Sequence, residues 1–166
     1  MNKVWRSNEI SQQTKIRLFN SNVKSILLYG AESWKTNQRV IKKLQVFTNK
    51  CLRKILRIYW PKVISNKELW ERSKQRSIRT EIMSRKWRWI GHTLRKGDTD
   101  ITKEALEWNP QGKRKRGRPC NTWRRSVISE AKQIGKTWTE LKSEAKNRIR
   151  WKSTVSALCS KLDDAG

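Results

Sequence analysis

Val40-Ile41-Lys42-Lys43-Leu44-Gln45-Val46-Phe47-Thr48-Asn49-Lys50-Cys51-Leu52-Arg53-Lys54-Ile55-Leu56-Arg57-Ile58 is the stretch that sets the fold class. Its apolar residues Val40, Leu44, Phe47, Cys51, Ile55 and Ile58 recur in steps of four and three, the spacing of one face of an α-helix. Thr36 or Asn37 is placed to cap its start, and Pro61 to end it. Lys42, Lys43, Lys50, Arg53, Lys54 and Arg57 take much of the remaining surface, and residues 35–60 hold no Asp or Glu. A helix that only faces water usually mixes signs to gain i,i+4 pairs. Two readings stay open, a solvated basic face and a helix that lies against phosphates.

Towards the N-terminus, residues 1–10 are polar and read as loose. From Ser11 to Tyr29, Ile16, Phe19, Val23, Ile26 and Leu27 keep helical spacing, Gly30 is a stop, and Ala31-Glu32-Ser33-Trp34 reads as a turn. Towards the C-terminus, Ser65-Asn66-Lys67-Glu68 fits a capping box ahead of Leu69 and Trp70. A further helix is predicted from Ser77 to Leu94, with Met83, Trp87, Ile90 and Leu94 on one face and Trp89 pointing away from it, either packed on another element, the favoured fate, or offered to a partner. Lys96-Gly97-Asp98 closes it, and a short piece, Thr102 to Trp108, stops at Asn109-Pro110.

Asn121 is placed to cap a helix carrying Trp123, Val127, Ile128, Ala131 and Ile134, with Gly135 as its stop. Thr137-Trp138-Thr139-Glu140 is a second capping box, opening one last helix with Leu141, Ala145, Ile149, Trp151, Val155 and Leu158. The turn between these two is short enough for an antiparallel hairpin. No strand pattern occurs, and Asp163 to Gly166 reads as a disordered tail. The prediction is all-α, two small helical blocks joined by a basic Gly/Pro loop: a bundle over 11–97, a linker over 98–120 and a helical hairpin over 121–162.

The linker holds Gly112-Lys113-Arg114-Lys115-Arg116-Gly117-Arg118-Pro119, five cations in eight residues with no acid. The 166-residue chain has a formal net charge of +26, and every third of it is net positive. That charge opposes compaction and favours a polyanionic partner, nucleic acid or an anionic membrane surface. Apolar residues make up 35%, below the usual share of about 45–50%, so the cores are thin and lean on the ten tryptophans. No apolar run reaches the roughly 20 residues of a spanning helix and no secretory leader is visible, so an intracellular, nuclear location is expected.

Cys51, Cys120 and Cys159 are far apart, and His92 stands alone, so no metal site or cofactor is predicted. His92 has no carboxylate or nucleophile beside it in sequence and reads as a packed or surface side chain. Arg116-Gly117-Arg118-Pro119 resembles the core of an AT-hook, but generic phosphate binding is the favoured reading, with a mere basic turn or a nuclear import signal as the other alternative. Arg124 and Arg125 beside Trp123 add a further basic group. Trp123 either stacks on an unpaired base or packs in the core with Val127 and Ala131, the second being favoured by the stripe.

Several phrases in order resemble the C-terminal region of reverse transcriptases from non-LTR (LINE-type) retrotransposons. They are Ile26-Leu27-Leu28-Tyr29-Gly30-Ala31-Glu32-Ser33-Trp34, Asn49-Lys50-Cys51-Leu52-Arg53-Lys54-Ile55-Leu56, Arg88-Trp89-Ile90-Gly91-His92-Thr93-Leu94-Arg95, and Gly117-Arg118-Pro119 with Thr122-Trp123-Arg124-Arg125. Trp138-Thr139-Glu140-Leu141, Asn147-Arg148-Ile149-Arg150-Trp151 and Ala157-Leu158-Cys159 complete the series, which spans about Lys15 to Leu162. The resemblance implies a thumb and a basic extension that follow the endonuclease, fingers and palm. The aspartates that hold Mg²⁺ in the palm have no counterpart here, because Asp98, Asp100, Asp163 and Asp164 lie on no predicted strand.

The expected function is therefore non-catalytic: a nucleic-acid-binding fragment that grips a template–primer, whether RNA, DNA or RNA–DNA hybrid, by its phosphates. Its contacts would be Lys42, Lys43, Lys50, Arg53, Lys54, Arg57, Lys113, Arg114, Lys115, Arg116, Arg118, Arg124 and Arg125. The palm and fingers of the parent polymerase are the expected protein partner. The alternatives are a non-functional retroelement relic that folds only partly without its palm, or a basic membrane-surface binder.

Overall fold

Ser11, Asn37, Ser65, Ser77, Asp100, Thr122, Thr137 and Asn147 each accept a hydrogen bond from a backbone N–H two or three residues further on. Each side chain satisfies a donor that a helix start leaves unpaired, so these residues set where the helices begin. The computed structural model describes residues 2–108, 117 and 122–163. In chain order the elements are α1 (Asn2–Arg6), α2 (Gln12–Leu18), a π-helical stretch (Phe19–Lys24), α3 (Ser25–Leu27), α4 (Gln38–Ile55) and α5 (Asn66–Ser73). They continue with α6 (Ile78–Leu94), α7 (Ile101–Glu107), α8 (Trp123–Gln133), α9 (Trp138–Ala145) and α10 (Arg148–Asp163). The fold is all-α, and no strand occurs among the described residues.

The chain divides into two compact units. One comprises residues 1–31 and 36–82, the other 32–35 and 83–166. The division runs between Ile82 and Met83, inside α6. The reason lies in the second core, where Met83, Trp87, Ile90 and Leu94 bury with Val127, Leu141, Trp151, Val155 and Leu158.

In the first unit Trp5, Phe19, Leu52, Ile55, Ile58, Ile64 and Leu69 form the core. The N-terminus is thus not loose: α1 places Trp5 against α2 and α4. Lys15 is buried, and its ammonium donates to the carbonyls of Trp5 at 3.1 Å and Ser7 at 2.6 Å. Lys24 is also buried and reaches Gln75 Oε1 at 3.1 Å and Glu81 at 3.4 Å. Both cations are held by acceptors, as the cost of burying a charge requires.

Two boundaries differ from the sequence reading. The last predicted helix is two, α9 and α10, because Asn147 turns its side chain onto the N–H groups of Ile149 and Arg150 and starts a new helix. The preceding α8 is capped by Thr122 rather than Asn121, the latter lying outside the described residues. Gly135 ends α8 with a φ of +70°, a conformation that costs a residue without Cβ little. The box at Thr137 and Glu140 is complete, whereas Glu68 turns instead to Arg72.

Candidate nucleic-acid interface

α4 is rotated by what it buries. Thr48, Asn49, Leu52 and Ile55 face inward. Asn49 sits at the centre of a polar cluster. Its Oδ1 accepts from Gln45 and from the Trp70 indole, both at 2.9 Å, and its Nδ2 donates to Asn66 at 3.0 Å. Gln45 in turn accepts from the Ile78 N–H at 2.7 Å. This cluster, with Leu52 and Ile55, moves the buried face by about one position from the predicted stripe. Val40 and Phe47, expected in the core, are instead exposed on the outer side.

The helix stops at Ile55, six residues before Pro61. Arg57 adopts a φ of +55°, and the Ile58 N–H returns to the Arg53 carbonyl at 2.9 Å, a Schellman closure. The closure lets Arg57 reach the N-terminal segment, where its guanidinium donates to the carbonyls of Arg6 at 2.9 Å and Ser7 at 3.2 Å, and to the Asn8 side chain. Arg53 donates to Asn66 Oδ1 at 2.9 Å and the Ile64 carbonyl at 3.4 Å. These two of the six predicted contacts are tied into the fold, but only by neutral acceptors, so their charge is not cancelled.

Lys42, Lys43 and Lys50 are exposed and Lys54 is half-buried; among the described residues none of the four ammonium groups makes a hydrogen bond or ion pair. With Arg39, they line one side of α4. Two open grooves adjoin there. One, of about 650 Å³, is lined by Arg39, Lys42, Lys43, Val46 and Phe47. The other, of about 440 Å³, runs past Lys50, Arg53 and Lys54 to Tyr59, and Val46 borders both. No Asp or Glu occurs anywhere from residue 33 to 67. Arg39 was legible as a cation three residues before Lys42, while Tyr59 carried no periodic signal.

The remaining predicted contacts lie elsewhere. Lys113, Arg114, Lys115, Arg116 and Arg118 fall outside the described residues. Arg124 and Arg125 are exposed on α8 in the second unit, where Arg124 donates to the Glu107 carbonyl at 2.8 Å. Trp123 is half-buried against Trp89, edge to face at 6.0 Å, and its indole donates to the Glu32 carbonyl at 2.9 Å. Both tryptophans pack on the second core, as the sequence reading favoured.

Chemically the face can hold charge. Burial pushes the Cys51 thiol up, against the opposing pull of Lys54 and Lys50, which favours the protonated thiol over the thiolate. Cys159 is buried, Cys120 lies outside the described residues, and His92 is exposed on α6. No helix of the described residues is long and apolar enough to cross a membrane.

A family model described as a domain of unknown function (DUF6451) matches residues 1–29. Over 152 residues the chain is 25% identical to an uncharacterized transposon-derived protein of Caenorhabditis elegans. The match takes in 87% of this chain and 54% of that protein, so the chain spans about half the length of the relative. No solved structure matches.

Proposed function

We propose that this chain is a nucleic-acid-binding segment of a transposon-derived protein, gripping a phosphate backbone with the outer face of α4. The observation that carries the reading is the set of four lysines, Lys42, Lys43, Lys50 and Lys54, with no acidic partner on the helix or near it in sequence. Unneutralised cations on one helix repel each other, and a polyanion removes that repulsion while releasing its own condensed counterions. Such contacts position a strand without reading its bases. The likeness to a transposon-derived protein supports an element of this kind as the source.

The finer reading is that the parent is a reverse transcriptase of a non-LTR retrotransposon, with the chain supplying the thumb and basic extension and the palm supplying the chemistry. The template–primer is then the ligand, the palm and fingers are the partner, and the nucleus is the place of action. Lys113, Arg114, Lys115, Arg116 and Arg118 act as a second phosphate contact, and Arg124 and Arg125 as a third.

Competition separates this reading from membrane-surface binding. A labelled RNA–DNA hybrid is titrated with the chain at low salt, then challenged with unlabelled hybrid or with phosphatidylserine vesicles of equal total charge. The hybrid is expected to displace the label and the vesicles to displace it far less. Failure to bind the hybrid at about 50 mM salt, or displacement by vesicles as effective as by hybrid, would contradict the proposal.

A further inference from the structure

The outer face of α4 is not purely ionic. Val46 is 59% exposed, Phe47 43% and Tyr59 56%, and they alternate with the cations along the two adjoining grooves. Arg39, Lys42 and Lys43 surround Phe47 and Val46; Lys50 and Lys54 lie between Val46 and Tyr59. From Arg39 to Lys54 the helix rises about 22 Å. A duplex presents phosphates outward and keeps its base faces stacked inside, so a surface made only for duplex gains nothing from apolar and aromatic groups between its cations. Those groups lose free energy by remaining in water. An unpaired strand presents both chemistries at once, phosphates for the ammonium groups and base faces for the rings.

We infer that the α4 groove receives a single-stranded polynucleotide, its phosphates on Arg39, Lys42, Lys43, Lys50 and Lys54 and its bases stacked on Phe47 and Tyr59. The inference rests on the phosphate-binding reading above and adds the state of the strand. Charge complementarity selects this occupant over an apolar polypeptide, because the stretch from 33 to 67 carries cations and no acid, and an apolar chain would leave those cations unneutralised. The dry core of the unit lies on the opposite side of α4, at Leu52 and Ile55, so the exposed rings are available without unfolding.

The test measures anisotropy of labelled oligonucleotides with the full chain, using an unstructured oligo-uridine 12-mer and a 12-base-pair duplex. Wild type is compared with Phe47→Ala, Tyr59→Ala and Phe47→Leu. Loss of a stacked base corresponds to about fivefold or more weaker binding of the single strand for each alanine variant, with duplex affinity unmoved and the salt slope unchanged, since no charge is removed. Phe47→Leu keeps the apolar volume and removes the ring; it is expected to lose single-strand affinity as the alanine variant does, which separates stacking from packing. Thermal unfolding of each variant reports whether the unit still folds, and Tyr59→Ala carries the test if either Phe47 variant does not.

Equal loss for single strand and duplex in folded variants, or no loss for either, would overturn the inference. Wild-type binding to duplex alone would overturn it and leave the phosphate grip standing. No binding to either oligonucleotide would overturn both.

Discussion

The indole of Trp151 occupies the space that a Cβ on Gly91 would need, its Nε1 and Cε2 overlapping that position. The same indole donates to the Trp87 carbonyl at 3.0 Å, and the Trp87 and Trp151 ring centroids are 5.9 Å apart. α6 and α10 therefore meet at a point where only glycine fits, and the second core is built on that contact.

Gly91→Ala is expected to destabilise the second unit by about 2–3 kcal/mol, the range of overpacking against a ring that cannot retreat. Gly97→Ala is the control, because a Cβ there meets nothing within 4 Å. Urea unfolding followed by tryptophan fluorescence reads both; equal midpoints for the two variants would show that the Trp151 ring moves freely.

Lys86 is buried, and its ammonium meets Glu130 at 2.5 Å, while the other Glu130 oxygen accepts from the Trp87 indole at 2.8 Å. Glu130→Ala strands a buried cation and is expected to cost about 3–5 kcal/mol. Adding Lys86→Met removes that stranded charge, so the double variant should be more stable than the sum of the single effects implies. Strict additivity in a double-mutant cycle would contradict the coupling.

Glu144 has a stated pH consequence. Burial alone would raise its carboxyl, but the hydrogen bonds from Lys136 at 2.5 Å and Thr154 at 2.7 Å outweigh it and hold the group below its ordinary 4.5. A depressed carboxylate stabilises the fold above pH 4.5, and that contribution is lost as pH falls through the folded value. Unfolding midpoints of wild type and Glu144→Gln should therefore differ most at neutral pH and converge in acid. A gap that stays constant from pH 7 to pH 3 would contradict this.

Most of the fold was legible because helix starts are local chemistry. Asn37, Ser65 and Thr137 each sit ahead of the helix they cap, and Gly30 and Gly135 stand just past the ends they close. What was not legible depended on distant partners. The apolar spacing of α4 pointed Phe47 inward, but the bonds from Asn49 to Trp70 and Asn66 decide the rotation and leave Phe47 outside. Nothing near Trp87, Ile90 or Leu94 in sequence says that they pack with Leu141 and Trp151. In the candidate site the charge was legible. The division between free lysines and the engaged Arg53 and Arg57 was not, because their acceptors lie in the segments around Asn66 and Arg6.

The most direct measurement is the salt dependence of RNA–DNA hybrid binding for the wild type beside a Lys42/Lys43/Lys50/Lys54→Gln variant whose circular dichroism is unchanged. If the face of α4 grips the backbone, the slope of log K against log salt should become shallower by about 3.6, roughly 0.9 for each of the four lysines removed. A variant that binds with the wild-type slope would contradict the account, for the phosphates would then be held somewhere other than α4.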